Sequence, residues 1–85
     1  MSVGDIVLAL AGRDEGRLFA VIAVDGENYA LIADGRSRRA DKPKRKKIKH
    51  LKLAREAAFE LKENDRLTND DLRKIMDEHK NLQKS

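Results

Sequence analysis

Val3-Gly4-Asp5-Ile6-Val7-Leu8-Ala9-Leu10-Ala11-Gly12-Arg13-Asp14-Glu15-Gly16-Arg17-Leu18-Phe19-Ala20-Val21-Ile22-Ala23-Val24 is the stretch that decides the fold class. Two runs rich in Val, Ile, Leu and Ala, Asp5 to Ala11 and Leu18 to Val24, flank a break bounded by Gly12 and Gly16. Such runs between glycine turns are too short for helices and read as β-strands. A third run, Tyr29 to Ala33, follows Asp25-Gly26-Glu27-Asn28. The Asp-Gly pair there supplies the positive φ that a tight hairpin needs. Alternation is blurred, because Ile6, Leu8 and Leu10 share one register and Val7, Ala9 and Ala11 the other. Both faces of the sheet are therefore expected to be partly covered, as in a small, strongly coiled barrel.

Beyond residue 34 the composition changes. Residues 36–52 carry ten Lys/Arg against one acid, Asp41, for a local charge of +9, while the rest of the chain sums to −5. A cationic block on an otherwise acidic chain points to a polyanionic partner. Pro43 lacks an N–H and argues against a regular central strand or helix, so the segment is expected to be a loop or ragged edge strand. Ile48 and Leu51 then anchor its far end to the apolar core.

Residues 52–85 read as a helical extension to a barrel spanning 1–51. A first helix over roughly 52–63 places Leu53, Ala54, Ala57, Ala58 and Leu61 on one face and Phe59 on the other. Such a helix either lies between the barrel and a second helix or offers Phe59 to a partner. The second helix, 68–82, has a dense start signal in Leu67-Thr68-Asn69-Asp70-Asp71-Leu72. Thr68 and Asp71 can form a capping box, and Leu67 can staple onto Leu72. Asp70 and Asp71 suit the positive end of the helix dipole, and Lys80 and Lys84 the other end. Leu72, Ile75, Met76 and Leu82 make its apolar stripe, with His79 half-exposed beside them.

The 85-residue chain is 40% hydrophobic and 40% charged, with 4% aromatic residues and no tryptophan, which leaves little material for a deep catalytic pocket. The absence of cysteine excludes disulfides, thiolate metal sites and thiol chemistry, and suits a reducing, cytoplasmic setting. No apolar run approaches the roughly twenty residues needed to span a bilayer, and no signal peptide is expected. No acid pair is placed for general acid–base work, and the lysine cluster lacks phosphate-loop glycines. The chain is therefore read as a non-enzyme without cofactor, metal or small-molecule substrate. Membrane-surface binding is disfavoured, because the basic block has no interleaved large apolar residues before Ile48.

Val3-Gly4-Asp5-Ile6-Val7, Ala11-Gly12-Arg13-Asp14-Glu15-Gly16-Arg17 and Phe19-Ala20-Val21-Ile22-Ala23-Val24 together resemble the KOW motif of ribosomal and transcription-elongation proteins. Tyr29 to Gly35, Arg38-Arg39 and Lys47-Ile48-Lys49-His50-Leu51 extend the likeness toward the large-subunit ribosomal KOW proteins of archaea and eukaryotes and their short bacterial relatives. The likeness covers residues 3–51. Two departures are a heavier cluster at Lys44-Arg45-Lys46-Lys47 and Leu18-Phe19-Ala20 where many KOW proteins have a further glycine. The resemblance implies an SH3-like barrel of about five strands that binds RNA without catalysis, here rRNA in a ribosomal particle, with ribosomal proteins as neighbours. The alternative is a protein-interaction KOW module of a transcription-elongation or translation factor.

The residues assigned to RNA on this reading are Arg13, Arg17, Arg36, Arg38, Arg39, Lys42, Lys44, Arg45, Lys46, Lys47, Lys49 and His50. A glycine-bounded loop lets backbone approach a phosphate, and Arg13 and Arg17 project near its ends. The same glycines also serve a turn without any ligand. The basic segment supplies sequence-independent affinity through counterion release. His50 either contacts phosphate or anchors the closing of the barrel. Tyr29, Phe19 and Phe59 are read as packing residues, so recognition is expected to be of backbone and shape rather than by base stacking.

Overall fold

The structure, a computed structural model, describes residues 1–61 and 66–84. It is mainly β. Strands β1 (Ile6–Ala9), β2 (Leu18–Asp25), β3 (Tyr29–Ala33), β4 (Lys44–Lys47) and β5 (Leu51–Arg55) form one antiparallel sheet in the order β4-β3-β2-β1-β5. A single turn of 3-10 helix, Ile48–His50, joins β4 to β5, and helix α1 (Asn69–Lys84) follows.

That short connection constrains the shape of the sheet. β4 and β5 are its two outer strands, which in a flat sheet would lie about 19 Å apart at about 4.8 Å per interval. The four Cα steps from Lys47 to Leu51 reach at most about 14 Å, so the sheet must curl to bring its edges together. A register shift between Val21 and Ala23 and another between Ile6 and Val7 supply local bends. The curl stops short of closure, since no ladder joins β4 to β5 among the described residues.

Both faces are covered, as the mixed alternation requires. Val7, Ala9, Phe19, Val21, Ala30, Ile32 and Leu51 pack together on the concave side, with Ile48 against them. Ile6, Ala20 and Ala33 point the other way and bury Leu72 and Met76 of α1. Neighbouring residues Ile6 and Val7 are both fully buried, on opposite faces of one strand.

Three expectations are corrected. The helix over 52–63 does not form: residues 51–55 are β5, and Ala57 turns the chain with φ 51°. Its alanine-rich helix propensity is overridden because β1 has an edge to fill. Beyond β5, Ala57 N–H donates to Asp5 Oδ1 at 3.0 Å and Ala58 N–H to Gly4 O at 2.7 Å. Residues 62 and 63 lie outside the described residues. The sheet thus runs to Arg55, past the expected limit at residue 51. Phe59, half-buried, packs with Ala58, Leu67 and Ile75 into the second core. In α1 the stripe is Leu72, Met76 and His79, while Leu82 is exposed, so the expected half-exposed histidine occupies the buried i, i+4, i+7 row. The capping box is present as expected, with Asp71 N–H donating to Thr68 Oγ1 and Thr68 N–H to Asp71 Oδ2, each at 3.1 Å.

Candidate nucleic-acid interface

The basic segment enters through a turn built on one carboxylate. Asp34, nearly buried, accepts from Arg36 N–H, Arg38 N–H and Ser37 Oγ at 2.9–3.0 Å, which coils residues 34–38 tightly. Ala40 N–H then donates to Asn69 Oδ1 at 2.8 Å, and Arg73 Nη1 to Gly35 O at 3.0 Å, so the start of α1 holds this turn. Pro43 precedes β4, where a missing N–H is tolerated, and Lys44–Lys47 pairs with β3 as an edge strand.

The glycine loop is held by the same basic segment. Arg38 Nη2 donates to Asp14 Oδ2 at 3.0 Å, and Lys46 Nζ donates to Ala11 O at 2.7 Å. Gly12 (φ 79°) and Gly16 (φ 83°) are left-handed, so the turn itself demands them. Gly16 N–H to Ala9 O (2.8 Å) and Ala9 N–H to Arg17 O (3.0 Å) close it. Loop 10–17, turn 34–43 and strand β4 are therefore tied into one basic end of the molecule.

The twelve assigned residues divide by what they touch. Arg38 and Lys46 are committed to the glycine loop, and the buried Arg38 Nε has no partner. Arg36 faces Asp77 at 3.6 Å and Arg39 faces Asp41 at 3.4 Å, both in exposed pairs of little energetic weight. Arg45 donates to Asp25 at 2.8 Å, again in an exposed pair, and that hydrogen bond raises its pKa above the ordinary value against a smaller lowering by desolvation. Arg13, Arg17, Lys42, Lys44, Lys47 and Lys49 are exposed and have no ion-pair partner among the described residues. His50 is half-buried at the β4–β5 corner, and its carbonyl accepts from Leu10 N–H at 2.8 Å.

One group escaped sequence reasoning. The Arg45 guanidinium carbon lies 3.6 Å from the centroid of the Tyr29 ring, and Tyr29 lines a shallow cleft of about 510 Å³ with Glu27, Asn28, Lys47, Ile48 and Lys49. Tyr29 is half-buried rather than a core residue. The available signal was the pairing of the one tyrosine with a basic edge strand, which requires knowing the β3–β4 register.

Among the described residues no group of three His, Cys, Asp or Glu side chains could hold a metal ion, and no helix is long and apolar enough to cross a membrane. No family model matches the chain, and no curated protein matches it.

Proposed function

We propose that this protein is a non-catalytic RNA-binding protein of the KOW type, associated with rRNA in the cytoplasm and gripping the RNA backbone through its glycine loop and basic edge strand. The observation that carries the reading is the set of six exposed cations without counterions among the described residues, Arg13, Arg17, Lys42, Lys44, Lys47 and Lys49, on segments bound to one another. Cations left unpaired by a fold that has Asp14, Asp25 and Asp41 available to pair others are suited to releasing counterions from a polyphosphate. The curled five-strand sheet, with a 3-10 turn between its outer strands, supports an SH3-like barrel left open between β4 and β5.

The second reading, a protein-docking KOW module, draws on the two sheet edges that are unpaired among the described residues and on Leu10 and Leu53, each nearly half exposed. Crosslinking in cells followed by sequencing of the attached RNA separates the two. On the RNA reading, reads concentrate in rRNA and the protein stays with ribosomes in moderate salt. Retention on RNA polymerase or a translation factor, with no enriched RNA, would establish the docking module instead.

A further inference from the structure

Backbone contacts explain affinity but leave the Tyr29 cleft without a role. Four observations converge there. The Arg45 guanidinium donates to Asp25 at 2.8 Å, and its carbon sits over the Tyr29 ring, 3.6 Å from the centroid. The ring stands on the first residue of β3 with one face against Arg45. The ring also lines a cleft whose volume, about 510 Å³, falls within the range of roughly 300–1,000 Å³ typical of small-ligand sites. Two of its lining residues are joined by a backbone hydrogen bond, Ile48 N–H to Asn28 O at 2.8 Å. The charges lining the cleft differ by element, with Glu27 in the hairpin, Lys47 at the end of β4 and Lys49 in the 3-10 turn, neither lysine having an ion-pair partner among the described residues.

We propose that this cleft is a subsite for one unpaired nucleotide of an RNA strand, the base stacking on Tyr29 and the flanking phosphates lying on Lys47 and Lys49. The inference rests on the RNA-binding reading and adds a base-dependent component to it. Polarity sets the direction of the nucleotide. A phosphate is repelled by Glu27 and attracted by the two lysines, whereas a base edge can donate its amino hydrogens to the Glu27 carboxylate and exchange hydrogen bonds with the Asn28 amide. Arg45 is a positioning residue. Its guanidinium covers one face of the ring and does not line the cleft, so the base stacks on the opposite face of a ring already backed by a delocalised cation.

The chain contains one tyrosine and no tryptophan, so its aromatic emission reports on this ring. The full chain is titrated with fluorescently labelled hexacytidylate, with a hexamer of abasic ribose phosphates of the same charge, with cytidine 5′-monophosphate, and with folded rRNA fragments. Hexacytidylate is expected to bind at least about tenfold more tightly than the abasic hexamer and to quench tyrosine emission, since stacking on one aromatic ring is worth roughly that factor or more. The monophosphate should bind at least tenfold more weakly than the hexamer. Tyr29→Leu should bring the two hexamers within about twofold of each other, and Arg45→Lys should narrow the gap while preserving the salt dependence.

Equal binding of the two hexamers with unchanged emission overturns the subsite and leaves backbone recognition standing. Loss of binding to both hexamers and to folded rRNA fragments overturns the RNA reading with it. Tight binding of the monophosphate at the level of the hexamer overturns the assignment to a strand. Should Tyr29→Leu fail to fold, the wild-type comparison between the base-bearing and abasic hexamers decides alone.

Discussion

Arg38 donates from Nη2 to Asp14 Oδ2 across 3.0 Å, and this single bond joins two segments 24 residues apart in the chain. The Asp14 side chain is 7% exposed and that of Arg38 31%, so the carboxylate is desolvated while its partner still touches water. Removing the arginine strands a buried anion. Arg38→Ala is expected to cost about 1–3 kcal/mol in urea unfolding, the cost of leaving a charged acceptor unsatisfied after allowance for partial solvent screening. Replacing both residues should cost less than the sum of the single changes, which a double-mutant cycle measures directly. Additive losses would mean that the bond contributes nothing to the fold.

Gly35 carries a different kind of constraint. Its φ is +78°, and a Cβ there would run into Asn69 O and come within 3.1 Å of Leu72 Cβ. The helix start that caps the basic turn therefore depends on the missing side chain. Gly35→Ala is expected to destabilise by roughly 3 kcal/mol or more, combining left-handed strain with overpacking. Gly16, at φ +83° with nothing within 4 Å of its Cβ position, is the control. Gly16→Ala should cost only the backbone term, about 1–2 kcal/mol. Equal losses at the two sites would show that α1 yields to the intruding methyl.

Strands β1 to β3 were legible because glycine and Asp-Gly turns punctuate runs of Val, Ile and Leu at lengths only strands use. The start of α1 was legible because Thr68 and Asp71 meet through local backbone alone. What escaped depends on partners distant in sequence. Residues 52–55 resemble a helix until β1, some 45 residues earlier, is seen to need an edge partner. His79 and Leu82 compete for the same stripe, and only the position of the sheet decides between them. Within the candidate site the charges were visible but their division was not. Arg38 and Lys46 differ from Lys44 and Lys47 only in reaching Asp14 and Ala11, acceptors placed by a loop 24 and 35 residues away.

His79 makes stability depend on pH. It is 3% exposed, and neither ring nitrogen has a hydrogen-bond partner among the described residues. Desolvation, and secondarily the charge of Arg55, push its pKa below the ordinary histidine value. The unfolded chain therefore takes up this proton more readily than the native one, so stability is full above about pH 6.5 and falls as pH drops below it. Asp71 acts in a separate and lower window. Its carboxylate, bonded by the Thr68 backbone and hydroxyl, titrates below the ordinary aspartate value, and that contribution is lost only as pH falls below about 4. Urea unfolding measured from pH 8 to pH 5 should thus show a decline that His79→Leu flattens, with the Asp71 contribution unchanged across that range. If the variant declines as steeply as the wild type, His79 does not carry the titration and the proton finds a native-state partner.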